Sequence, residues 1–190
     1  MTGKTAAVIG AGRVGTVLGR ALHLLGYRIT GVTCKTLEEA EESVRIIEAG
    51  EPGMDNREAV QDAGLVILAV PDRSIAPVAH ELSQAGRDWS GSLVWHCSGL
   101  RPEADLAPLR KRGASTASVH PVQTLASKRT DPSDLEGVWF GIEGPRDAFH
   151  SSCEIVKLLG GNPFRLESRD KTLYHAACSM ASNLMTALLE

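Results

Sequence analysis

The sequence has no surplus of positive charge with which to bind a polyanion. Its 20 Lys and Arg are outnumbered by 23 Asp and Glu, a formal net charge of −3. Electrostatics therefore give no case for nucleic acid or an anionic membrane. No apolar run approaches the roughly 18 residues that a membrane span requires. The four cysteines, Cys34, Cys97, Cys153 and Cys178, are widely spaced and form no CxxC pair. That argues against a disulfide framework and reads as free thiols in a reducing compartment. His96–Cys97 and His175–Cys178 match no zinc spacing, and no G-x-S-x-G elbow is present, so neither a metal site nor a serine hydrolase is expected. The chain enters an apolar strand within a few residues of Met1, so no signal peptide is expected and the cytoplasm is the predicted setting. At 190 residues, 43% hydrophobic and 23% charged, the composition fits one soluble globular domain, or one with a fragment of another.

What is present is concentrated in Thr5–Leu22, TAAVIGAGRVGTVLGRAL. An apolar run leads into Gly10-x-Gly12-x-x-Gly15, and a helical pattern follows at once. Between a first strand and a first helix each glycine has a function. Gly10 allows the tight turn, Gly12 leaves room for a pyrophosphate, and Gly15 lets helix and strand pack closely. The N–H groups of the first helical turn, which begins at Val14, would then face the phosphates, and Arg13 inside the glycine loop is a further candidate for a phosphate contact.

Strands alternate with helical patterns along the chain, which predicts parallel βαβ units and a doubly wound, mostly parallel sheet of the Rossmann α/β class. Strands are expected near residues 5–9, 28–33, 65–70, 92–96, 115–119, 138–142 and 163–166. Helices are expected near 14–25, 37–49, 57–62, 102–112 and 146–159, with Ser74 capping another that runs to about 85. The segment 51–56 is too short and too rich in Pro and Gly to assign. From residue 170 to 189 one long helical run begins an all-α region, so the domain boundary is placed at 168/169. Without further helices its apolar face lacks a partner, which suggests docking on a second subunit or a longer protein.

The residues after the second strand decide between the two nicotinamide cofactors. An NAD site tends to place Asp or Glu there for the ribose hydroxyls. Here the stretch reads Val32-Thr33-Cys34-Lys35-Thr36, with no carboxylate before Glu38. Lys35 can pair with a 2′-phosphate and Thr33 and Thr36 can hydrogen-bond it, so NADP is favoured over NAD. Lys35 also reads as a solvated loop charge. Val70 and Pro71 end the strand expected over 65–70, at the edge where ligands of open sheets sit.

Two more strands end in His96 and His120, where an imidazole can hydrogen-bond a substrate oxygen and move its proton. Of the two, His120 is the better acid–base candidate, and Ser98, Gln123 and Thr124 could orient a polar substrate. On the last helix Lys171, His175, Ser179 and Asn183 form one polar row at spacings of four, while Leu173, Ala177, Met180, Leu184 and Leu188 form the opposite face. Each of these residues also has a bland reading, a structural histidine or a solvated stripe.

VIGAGRVG, LVILAVPD, HCSGL, SVHPVQTL, GVWFGIEG and LYHAACSMASNLMTALL together resemble the Rossmann-like proteins that carry an uncharacterised helical C-terminal domain of the DUF2520 type. These are relatives of ketopantoate reductase, pyrroline-carboxylate reductase and the 6-phosphogluconate dehydrogenase-like enzymes. The resemblance implies an NADP-linked oxidoreductase whose active site lies between the Rossmann domain and the helical domain. In β-hydroxyacid dehydrogenase relatives a lysine and an asparagine one turn apart face the nicotinamide; Lys171 and His175 have that spacing, with His in place of Asn. His120-Pro121 is similar to the His-Pro of prephenate dehydrogenases, although the residues that follow differ. Members of the group usually continue with several more helices, which complete the pocket and the dimer.

The sequence thus predicts NADP-dependent oxidation or reduction of a small polar carbonyl or hydroxyl compound. Gly10, Gly12, Arg13, Val14, Gly15, Thr33, Lys35, Val70 and Pro71 would hold the cofactor. His120, Lys171, His175, Asn183 and His96 would serve the chemistry, and a homodimer would form through the C-terminal helical region. The alternatives are a non-catalytic NADP-binding sensor or interaction protein, or a deazaflavin-linked system.

Overall fold

A computed structural model describes residues 4–189, with side chains described through residue 181. The chain opens with β1 (Thr5–Ile9), α1 (Arg13–Leu24), β2 (Arg28–Thr33), α2 (Leu37–Ile47) and β3 (Glu51–Gly53). It continues with α3 (Asn56–Ala59), β4 (Leu65–Leu68), α4 (Asp72–Leu82), β5 (Leu93–His96), α5 (Ala107–Arg110) and β6 (Ser115–Pro121). The last elements are β7 (Trp139–Glu143), α6 (Arg146–Leu158), β8 (Asn162–Arg165) and α7 (Lys171–Leu189).

The strands form one sheet in the order β3-β2-β1-β4-β5-β6-β7-β8. Every neighbouring pair is parallel except β6 and β7. β4 shows why the sheet is buried on both sides: its four residues, Leu-Val-Ile-Leu, are all buried, and alternate side chains enter two different core clusters. Leu65 and Ile67 join the cluster containing Val17, Leu18 and Leu22 of α1, while Val66 and Leu68 join Ile75, Ala79 and Leu82 of α4. Such a continuous apolar strand is what a parallel sheet covered by helices on both faces demands.

Local chemistry fixes the helix ends. α1 stops where Gly26 takes a φ of +82° and Tyr27 N–H returns to the Leu22 carbonyl at 3.0 Å. Thr36 caps α2 by accepting from Glu39 N–H at 3.2 Å.

Two expectations, the helix over 102–112 and the Ser74 cap, are corrected, and two features that the sequence left open are defined. The unassigned segment after α2 includes an edge strand, β3, paired parallel to β2. The helix expected over 102–112 is divided into a 3-10 turn, Glu103–Leu106, and α5. Pro108 lacks the N–H that an unbroken helix would donate one turn back. α4 starts at Asp72 after Pro71, so Ser74 lies inside the helix and is not its cap. Finally β7 runs antiparallel to β6, because the connection between them holds only a 3-10 turn over Pro132–Leu135 and no crossover helix.

Candidate functional site

β2 and β3 lie on one side of β1 and β4 lies on the other, so the chain reverses its winding at the β1/β4 crevice. Ligands of open α/β sheets bind at the carboxyl end of such a crevice. A cavity of about 700 Å³ opens there, walled by the glycine loop, the end of β2 and the Val70-Pro71 turn.

The three glycines divide their functions as the sequence implies. Gly10 has a φ of +82°, and a Cβ on it would lie 2.6 Å from Val70 Cγ1. A Cβ on Gly15 would meet the Gly10 carbonyl oxygen at 2.9 Å and Ala69 Cβ and Val8 Cγ1 at 3.0 Å. Gly12 differs, since a Cβ there meets nothing within 4 Å. Gly10 and Gly15 therefore serve the fold, and Gly12 keeps space beside the cavity. Thr16 Oγ1 and Ser43 Oγ donate to the Ala11 carbonyl at 3.0 and 2.9 Å, which fixes the loop. No side chain caps the start of α1 and its first turn holds no acid. The first-turn N–H groups of Arg13 and Val14, both in the cavity wall, are thus open to an anion.

At the β2 end, Lys35 is exposed and lines the cavity. Thr33 lines it too, but its hydroxyl donates to Asn56 Oδ1 at 2.7 Å, so its one hydrogen is spent within the protein. Thr36, expected to bond a phosphate, caps α2 by accepting from Glu39 N–H, which leaves its hydroxyl hydrogen to donate. Glu39, on the first turn of α2, joins the wall and is its carboxylate; Lys128 joins it from the long connection after β6. Sequence reading missed Lys128, which lies 86 positions from its ion-pair partner Glu42.

The remaining candidates gather further along the same rim. His120 is three strand spacings from β1, about 14 Å at the usual separation. It is half-buried near the end of β6 and lies over Gly99, where a Cβ would meet ring atoms Cε1 and Nε2 at 3.0 Å. Its Nδ1 is 2.7 Å from the Tyr174 hydroxyl, and the two rings meet edge to face. Burial, then the charges of Lys171 and His175, push the His120 pKa down to about 4. Tyr174 is raised above its ordinary value by burial. The phenol therefore stays protonated and can donate to Nδ1, leaving the ring hydrogen on Nε2.

His96 corrects the sequence reading. It is fully buried, with Nε2 3.1 Å from the Pro102 carbonyl and Nδ1 accepting from Ser98 N–H at 3.3 Å. Both ring nitrogens are occupied by backbone, and burial drives its pKa down to about 4. It holds the turn after β5 and has no free nitrogen for a substrate. Ser98 is likewise engaged, its hydroxyl accepting from Leu100 and Arg101 N–H at 3.1 and 2.9 Å.

Lys171 is also reassigned. Only 2% exposed, its ammonium donates to Ser118 Oγ at 2.5 Å and the Ser98 carbonyl at 3.3 Å, and pairs with Glu143 Oε2 at 3.4 Å. Burial lowers its pKa and Glu143 opposes that. Three acceptors face the three donors of the ammonium, and its charge bears on His120. Glu143 extends this buried polar group by accepting from Glu103 N–H at 3.0 Å, and Glu103 in turn takes Arg110 and the Thr116 hydroxyl. None of Glu103, Arg110, Ser118 or Glu143 stood out in the sequence. His175 is half-buried with Nδ1 lacking a hydrogen-bond partner among the described residues. Gln123 and Thr124 are exposed beyond β6, and the side chain of Asn183 lies outside the described residues.

The polar row of α7 faces inward: Lys171 is buried and His175 and Ser179 are half-buried, whereas Leu173, Ala177 and Met180 are exposed. Among the described residues no cluster of metal-binding type occurs, and no helix is long and apolar enough to cross a membrane.

Comparison with known proteins identifies the family and the fold. Residues 3–121 match the family model of the Rossmann-like domain, and residues 138–190 match the domain of unknown function DUF2520. No curated protein matches. Among solved structures, the “putative NADP oxidoreductase BF3122” from Bacteroides fragilis is similar with a TM-score of 0.83 at 24% identity, covering 98% of this chain and 70% of that one. Protein TM1727 from Thermotoga maritima is similar at 0.66 and 24% identity, covering 97% of this chain and 65% of that one. The Aquifex aeolicus prephenate dehydrogenase, solved with hydroxyphenyl propionate and NAD+, gives 0.72 at 17% identity, over 88% of this chain and 61% of that one. At these identities the likeness is one of fold, and this chain spans about two thirds of each structure's length.

Proposed function

The chain belongs to the Rossmann-like domain family, and from that premise we propose that it is an NADP-dependent oxidoreductase acting on a small polar carbonyl or hydroxyl compound. One observation carries the reading. A single rim of the sheet holds an uncapped glycine-loop helix with an empty space at Gly12, a lysine at the end of β2, and a histidine on β6 paired with a tyrosine of α7.

The first-turn N–H groups of α1 and Arg13 would hold the pyrophosphate, Lys35 the 2′-phosphate, and Val70 and Pro71 the wall beside them. NADPH, when bound, supplies the hydride. His120 works as a neutral imidazole, its Nε2–H bound to the substrate oxygen while Tyr174 holds Nδ1; a neutral donor is what its lowered pKa provides. His175 adjoins it as a second imidazole, and Asn183 is assigned to substrate orientation on the strength of the resemblance.

A domain boundary at 168/169, a cytoplasmic setting in which free thiols persist, and a homodimer through the C-terminal helical region belong to the same proposal. Leu173 and Met180, 76% and 60% exposed, give that dimer an apolar face. A non-catalytic NADP-binding sensor is the second reading. It is favoured by the sequestration of Lys171, which removes one cation from the catalytic end of the rim.

The test pairs binding with turnover. NADPH should raise the melting temperature of wild type and of His120→Ala alike. Hydride exchange with small keto or hydroxy acids should fall at least about 100-fold in the variant. Retained turnover removes His120 from the mechanism, and binding without any exchange in the wild type favours the sensor.

A further inference from the structure

The overall charge of the chain is negative, yet the described wall of the cofactor cavity carries Arg13, Lys35 and Lys128 against the single carboxylate of Glu39. Lys128 has no counterpart in the glycine-loop pattern. It comes from the connection between β6 and β7, and reaches back over the sheet edge to α2. Its ammonium lies 2.8 Å from Glu42 Oε2 and 3.2 Å from Ser43 Oγ, with the side chain only 22% exposed.

Its position is built. Leu125 anchors the connection in the core. A turn then presents Lys128: Ser127 Oγ accepts from Arg129 N–H at 2.8 Å, and Thr130 Oγ1 donates to the Ser127 carbonyl at 2.8 Å. The Ser43 hydroxyl that accepts from Lys128 shares its one hydrogen between the Ala11 carbonyl of the glycine loop at 2.9 Å and the Glu39 carbonyl at 2.8 Å. Lys128 is therefore held at the β2/α2 end of the cavity, where a Rossmann site meets the adenosine ribose.

We propose that Lys128 is a second cation for the 2′-phosphate of NADP, a specificity determinant supplied from the connection that follows the His120 strand. The proposal rests on the NADP reading above. Glu42, about half exposed, occupies the ammonium meanwhile. A pair open to solvent on its Glu42 side contributes modestly, whereas a phosphate dianion offers Lys128 charge-assisted bonds and lies beside Lys35. Exchange of Glu42 for phosphate keeps the Ser43 contact, so the glycine loop stays fixed while the cofactor is read.

Titration calorimetry of wild type, Lys35→Ala, Lys128→Ala and Lys128→Arg with NADPH and with NADH tests this. Lys128→Ala should weaken NADPH about three- to tenfold and leave NADH within about twofold, and Lys128→Arg should restore NADPH. Equal weakening of both cofactors would make Lys128 a loop fastener acting through Ser43 and would overturn the proposal. If Lys35→Ala removes the preference for NADPH and Lys128→Ala does not, the NADP reading stands and the role of Lys128 falls. If wild type shows no preference for NADPH, both fall together.

Discussion

Replacing His96 by glutamine should flatten the acid limb of the stability curve. The native ring is held neutral, its pKa moved from the ordinary 6.5 to about 4, mainly by burial. Between those values the unfolded chain binds a proton that the native protein refuses, so stability falls as the pH falls through this window. At about 1.36 kcal/mol per pH unit, the loss attributable to this one ring reaches about 2.5 kcal/mol near pH 4.5. Glutamine cannot titrate, and its amide nitrogen can still donate to the Pro102 carbonyl. The assay is urea unfolding of wild type and variant between about pH 7.5 and about pH 4.5. Other titrating groups are common to both proteins and cancel in the difference. The variant should start about 1 kcal/mol less stable, having lost the acceptor for Ser98 N–H, and the gap should close and reverse as the pH falls. Parallel curves would refute the argument and return His96 to the list of free, functional histidines.

Two further perturbations probe the loop and the buried ion pair. Gly15→Ala should cost about 1–3 kcal/mol by overpacking against Val8, Ala69 and the loop carbonyl. Gly12→Ala should leave the melting temperature essentially unchanged yet weaken NADPH, measured by calorimetry, because its methyl enters space kept for the ligand. Lys171→Met should destabilise by about 3–5 kcal/mol in urea unfolding, since Glu143 is left buried and unpaired. The double variant with Glu143→Gln should recover at least about half of that loss; no recovery would show that the packing of the lysine stem dominates.

The glycine loop was legible because each constraint on it is local: Gly10, Gly15 and the flanking apolar residues meet within one strand–turn–helix unit. β4 was legible for the same reason, as a run of four buried apolar residues. The edge strand β3 was not, because Pro52 and Gly53 are poor strand formers and the pairing with β2 alone makes them one. Pro108 was visible, but a helix-like pattern on both sides of it hid the break. The catalytic assignments divided according to what chain distance conceals. His96 and His120 end neighbouring strands with similar chemistry, and only the turn after β5 decides that the first is saturated by backbone. Lys171 reads as one member of a polar stripe, and nothing local reveals acceptors 53 and 73 positions away. The stripe itself was identified correctly as a face, and its unusual mixture of Lys, His and Ser reflects its burial.

The inward polarity of α7 gives the domain junction a second meaning. Its first turn anchors the helix in the sheet through Lys171, and the same turn delivers Tyr174 and His175 to the ring of His120. Lifting the helix by one hydrogen bond would free Nδ1, remove a neighbouring cation and admit water, each of which raises the affinity of that imidazole for a proton. The strand edge therefore contains a histidine whose basicity reports whether the helix behind it is seated.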